Sequence, residues 1–133
     1  MNKIEHIGIA VRNLTKSIPV YEKLLNCPCY KTEKVESERV TTAFFSLGES
    51  KIELLEGLDP EGVISRYINS RGEGIHHIAF EVDDLEAEIK RLEAQGFEFV
   101  SNRPRPGADN KMVCFLQPKT TGGILVELCM DKR

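Results

Sequence analysis

The segment HIGIAVRNL at residues 6–14 is answered by HIAFEVDDL at residues 77–85. On this offset of 71 residues (77 minus 6), His6 falls on His77, Val11 on Val82, Leu14 on Leu85 and Ile18 on Ile89. A self-match with the same order of elements on both sides marks a duplicated unit. Each such unit is too small to bury its own apolar surface. With 133 residues, the chain has room for one domain with a core, so the two copies read as complementary halves of a single fold.

Each copy opens on a strand of period two. Ile7, Ile9 and Val11 share one face, and His6, Gly8 and Ala10 share the other. In the second copy Ile78, Phe80 and Val82 oppose His77, Ala79 and Glu81. The bulky apolar face suits packing against a helix, and the small or polar face suits lining a cavity. A helix follows each strand. Leu85, Ile89 and Leu92 form an i, i+4, i+7 stripe, with Asp83 or Asp84 as cap and Gly96 as stop. In the first copy Leu14, Ile18 and Tyr21 correspond. A start near Ser17 would place Pro19 in the first turn, where proline is tolerated.

Further strands are expected around 29–34, 40–47 and 51–56, and again around 98–101, 112–116 and 123–130. Gly48-Glu49-Ser50 reads as a tight hairpin and residues 118–123 as a longer turn. The expected fold class is α+β. Two βαβββ modules, about 1–58 and 75–133, form one curved, mostly antiparallel sheet around a metal site, with the helices outside. A linker at 59–74 carries a short helix over 63–69.

Composition narrows the function classes. A net charge of −3, with Lys and Arg scattered, leaves no electrostatic footprint for nucleic acid. No apolar run approaches the roughly 18 residues that span a bilayer. The N-terminus enters a strand without signal-peptide architecture, so a cytoplasmic location is expected. Cys27-Pro28-Cys29 is not the C-x-x-C of zinc ribbons or redox motifs. Cys27, Cys29, Cys114 and Cys129 are expected to be free thiols. Cys129 lies two residues beyond Glu127 on the same strand face.

The last strand of each copy repeats a second pattern, Ile52-Glu53-Leu54 and Val126-Glu127-Leu128. A carboxylate aimed inward from a sheet costs several kcal/mol unless it is paired or bound to metal. A lone histidine at a strand start is more often structural, and a lone strand glutamate more often faces water. Here a His and a Glu recur at equivalent places in two units. His6, Glu53, His77 and Glu127 together suit a divalent metal such as Co, Mn, Ni, Zn or Fe, with positions left for water or substrate. His76, by alternation, points away from that site into packing or the linker.

HIGIAVRNL, AFFSLGESKIELLE, GEGIHHIAFEVDDL, RPRPGA and FLQPKTTGGILVELC touch nearly the whole chain. With these motifs the sequence resembles the vicinal oxygen chelate superfamily, and within it the methylmalonyl-CoA epimerases. The resemblance implies one divalent metal held by His6, Glu53, His77 and Glu127. It also implies epimerisation at C2 of an acyl-CoA through a metal-stabilised enolate, with Glu127 as a candidate acid/base. For the CoA moiety it points to Arg105, Lys119 and the backbone at Gly107, with Arg103, Gly122 and Gly123 in the same motifs. A homodimer is implied by relatedness alone. Some members carry a glutamate, proposed as a base, on the third strand of the first half. Thr42 stands there and is assigned to substrate binding, because a hydroxyl cannot be a carboxylate base. Two further departures are Glu38-Arg39-Val40 in place of Gln-Gly-Val and Gln117 in place of a histidine.

Three other functions share the fold. A glyoxalase I-like lyase acting on a glutathione adduct would use the same metal and proton transfer. An extradiol dioxygenase holds Fe(II) with two His and one carboxylate, and Glu53 as a fourth ligand argues against it. A metal-free small-molecule binder has no need of four ligands.

Overall fold

The computed structural model describes residues 1–132. Its elements run β1 (Lys3–Ala10), α1 (Leu14–Leu25), β2 (Lys31–Val35), β3 (Val40–Leu47), β4 (Ser50–Gly57), α2 (Val63–Arg71), β5 (Gly74–Glu81), α3 (Leu85–Ala94), β6 (Arg105–Pro106), β7 (Lys111–Phe115) and β8 (Val126–Asp131). The class is α+β, with a strand order of β2-β3-β4-β1-β5-β8-β7-β6 in a mixed sheet. Two compact units divide the chain. One is His6–His76, and the other joins Met1–Glu5 to the residues from His77 onward. No helix among the described residues is long and apolar enough to cross a membrane.

In the His6–His76 unit, β1 runs parallel to β4, while β3 is antiparallel to both β2 and β4. Gly48, at φ 59°, lets the chain turn between Leu47 and Ser50, which pair across the hairpin. Ile9, Val11, Ala43, Phe45, Ile52 and Leu54 pack against Leu14, Ile18, Tyr21 and Leu25 of α1. The bulky face of β1 is therefore the helix-bearing face, as its period-two pattern requires. Helix α1 starts at Leu14, not near Ser17. The Asn13 side chain accepts from the Lys16 N–H at 3.2 Å, and Glu56 accepts from the Leu14 N–H at 2.6 Å. These two contacts fix the N-terminus one turn early and leave Pro19 in the helix interior, where it removes an i→i−4 bond. Helix α2 extends two residues beyond the expected span. It lies so close to the end of β4 that a Cβ on Gly57 would sit 2.0 Å from Ser65 Oγ.

In the other unit, β5 runs parallel to β8, and β7 pairs antiparallel with β8 and β6. Met1–Glu5 lies along β5, the Asn2 N–H donating to Glu81 O at 2.9 Å. Leu85, Ile89 and Leu92 of α3 are buried against Val82, Cys114, Leu116 and Leu128. Burial of each such side chain is worth about 1.5–3 kcal/mol. Asp84 caps the helix by accepting from the Ala87 N–H, and Gly96 follows it at φ 93°.

The second module departs from expectation at its outer edge. A strand at 98–101 was expected, but only a single bridge, Phe99 to Leu116, forms there. The outermost ladder is instead the two residues of β6, Arg105–Pro106. Pro104 and Pro106 lack amide donors, so no longer ladder can form. Asp109 and Asn110, both near φ +57°, then turn the chain into β7. The last strand begins at Val126 and not at 123, because Gly122 and Gly123 hold φ values of 75° and 97°.

Candidate metal centre

Strand pairing places the two glutamates at corresponding points of their modules. Glu53 lies beside Gly8 on the parallel neighbour β1, and Glu127 beside Ala79 on β5. Each partner follows a histidine by two residues, so the His and Glu of a module share one sheet face. His6 Nδ1 stands 3.2 Å from Glu53 Oε2, and His77 Nε2 stands 3.2 Å from Glu127 Oε1. The four side chains belong to residues only 4%, 4%, 6% and 5% exposed. A carboxylate this deep needs a proton, a cationic partner or a metal beside it. Each glutamate has an imidazole at contact distance.

Around the His6–Glu53 pair, cross-strand rows define the surroundings. Gly8, Glu53, Phe44 and Lys31 form one row; Ala10, Leu55, Thr42 and Glu33 form the next. The Lys31 and Lys51 ammonium groups lie 5.0 and 5.9 Å from the Phe44 ring centre. Thr42 is 1% exposed, and its Oγ1 has no hydrogen-bond partner.

Around the His77–Glu127 pair, Phe115 is the cross-strand neighbour of Glu127 and sets its ring edge-on to His77 at 5.8 Å. Arg105 places its guanidinium 5.8 Å from the Phe115 centroid. Cys129 donates to Phe80 O at 3.6 Å and packs with Ala79 and Val113. Burial first, then the Glu127 charge, push the Cys114 thiol up to about 12. None of the four cysteines is in a disulfide.

The remaining sequence candidates are spread more widely. Lys119 is on the surface, 3.2 Å from Glu98. Gly107 is held by packing, since a Cβ there would meet Val113 Cγ1 at 3.0 Å. His76 turns from the His77 face and meets Tyr67 of α2 edge-on at 5.0 Å. Sequence reasoning missed Glu5, which is 2% exposed with Lys111 Nζ at 3.9 Å. Lys111 also bonds Asp131 at 2.6 Å. Glu5 adjoins His6 in sequence, but it has no repeat partner to single it out.

Residues 5–115 match the Glyoxalase/Bleomycin resistance protein/Dioxygenase superfamily. The uncharacterized protein YqjC of Bacillus subtilis (strain 168) is 37% identical over 132 residues, covering 99% of this chain and 94% of that protein. An ethylmalonyl-CoA/methylmalonyl-CoA epimerase of Cereibacter sphaeroides is 36% identical, covering 96% of this chain and 97% of the relative. Among solved structures, a variant of the Streptomyces coelicolor methylmalonyl-CoA epimerase in complex with 2-nitronate-propionyl-CoA superposes with a TM-score of 0.94. It is 29% identical and covers 98% of this chain and 95% of that one.

Proposed function

This chain belongs to the glyoxalase/bleomycin resistance/dioxygenase superfamily, and from that membership we propose that it is a metal-dependent epimerase interconverting (R)- and (S)-methylmalonyl-CoA. The observation that carries the reading is the pair of buried His–Glu contacts, one per module, each with N···O at 3.2 Å. Relatives named as epimerases of methylmalonyl-CoA support the substrate class.

The donor set fits a divalent cation. Two imidazoles and two carboxylates match Co, Mn, Ni, Zn or Fe, and burial keeps bulk water from competing. His6, Glu53, His77 and Glu127 would hold it. When bound, the cation supplies Lewis-acid charge that stabilises negative charge building on the substrate's carbonyl oxygen, an effect of several kcal/mol.

The chain's own residues do the rest. Glu127 takes the C2 proton as the C–H electron pair moves toward the thioester carbonyl, and a solvent-derived proton delivered to the opposite face inverts the centre. Phe115 fixes the His77 ring by its edge-on contact. Arg105, Lys119 and the Gly107 backbone are assigned to the CoA end, and Thr42 to the acyl end.

Deuterium wash-in at C2 tests the reaction. The metal-loaded protein in D2O is expected to exchange that hydrogen of methylmalonyl-CoA and to leave methylglyoxal plus glutathione unconverted. Turnover of the hemithioacetal without exchange would assign a lyase. No metal uptake and no turnover would leave a small-molecule binder.

A further inference from the structure

A hydroxyl buried without a partner costs the protein free energy, and native folds avoid it. Thr42 is such a case, being 1% exposed with Oγ1 unbonded. Its position gives the exception a purpose. The register puts Thr42 directly opposite Leu55, on the face that carries Glu53 two residues earlier on β4. Gly8 and Ala10, the β1 members of these two rows, project almost nothing onto that face. Valine would fill the place of Thr42 equally well and would suit a strand better. The hydroxyl therefore has no folding role that the structure reveals.

We propose that Thr42 donates a hydrogen bond to a carboxylate oxygen of the bound acyl group, acting as a specificity contact for malonyl-type thioesters. This rests on the epimerase reading and deepens it. An anionic acceptor is favoured over a neutral one for two reasons. A hydrogen bond to a charged oxygen is roughly twice as strong. The Lys51 ammonium also lies 5.9 Å from the ring centre of Phe44, the next residue on the same face of β3. Glu33, the cross-strand neighbour of Thr42, is negative, but Lys31 Nζ lies 3.7 Å from it and offsets its charge. Thr42 binds and orients; it holds no proton at C2.

Thr42→Val and Thr42→Ser separate this role from a structural one. Without ligand, Thr42→Val is expected to raise Tm by a few degrees, because an unsatisfied donor is removed. With metal loaded, calorimetric titration of Thr42→Val is expected to show methylmalonyl-CoA binding weakened roughly tenfold or more. Propionyl-CoA, which lacks the carboxylate, should bind the variant and the parent alike. Thr42→Ser should bind both as the parent does. A lowered Tm for ligand-free Thr42→Val, unchanged methylmalonyl-CoA binding, or equal weakening toward both thioesters would each overturn the assignment. Failure of the parent protein to bind methylmalonyl-CoA would instead overturn the epimerase reading, and this contact with it.

Discussion

At the residue scale, duplication is what made the candidate ligands readable. His6 alone resembles any strand-start histidine, and Glu53 alone any strand glutamate. Paired with His77 and Glu127 at matching places, they became a pattern, and within each module the His and Glu do meet. Glu5 and Phe115 escaped because each is defined by a spatial neighbour: Lys111 for one, His77 for the other. The orphaned hydroxyl of Thr42 was equally invisible, since hydrogen-bond satisfaction is settled only in three dimensions. Cys114 gives a prediction at this scale. Its thiol is pushed up to about 12, against an ordinary value of 9.0, chiefly by burial. Between those values the unfolded chain loses the thiol proton and the folded chain keeps it. Raising pH through that window therefore favours unfolding. Urea midpoints of wild type and Cys114→Ala are expected to differ more at pH 8 than at pH 10.5. A gap that stays constant or widens would show that Cys114 ionises freely in the folded protein.

At the element scale, local signals placed α3 well and α1 imperfectly, and the difference lies in what competes at each N-terminus. Asp84 is both the local cap and the observed one. For α1, the proline rule argued for a late start. A tertiary bond from the Leu14 N–H to Glu56, 42 residues away, won instead. No local reading contains that bond. Strand β6 shows the converse. The Pro104–Pro106 spacing was visible, but which two residues would still pair with β7 depended on the register of the sheet. Pro19 is exposed in the second turn of α1, so its replacement loses no packing. Pro19→Ala restores an amide donor and a favourable helix residue, against a gain in unfolded-chain entropy of up to about 1 kcal/mol. The expected net effect is stabilisation by about 1–2 kcal/mol, read as a higher urea midpoint at unchanged slope. A lower midpoint would mean that the proline ring is part of a surface contact.

At the scale of the whole molecule, the question is whether two modules bind two cations or share one. The His–Glu pair of either module alone offers one imidazole and one carboxylate, too few donors for tight binding of a transition metal. Four donors satisfy such an ion and still leave sites for substrate. A ligand that binds only the folded chain stabilises it by about 2.7 kcal/mol at a hundredfold excess over Kd. Adding Mn or Co to chelator-treated protein should therefore raise Tm by several degrees, and EDTA should reverse the shift. The single variants His6→Ala and His77→Ala decide the stoichiometry. With one shared cation, each variant loses the whole shift, and elemental analysis of the parent gives one metal per chain. With one cation per module, each variant keeps about half of the shift, and analysis gives two. Without metal, both variants should unfold at a lower temperature than the parent, because either substitution leaves a buried carboxylate without its imidazole, so each metal-induced shift is read against the variant's own metal-free Tm. Retention of a full metal-induced shift by either variant would remove that histidine from the ligand set, and with it the chemical reason for keeping the duplicated His and Glu buried.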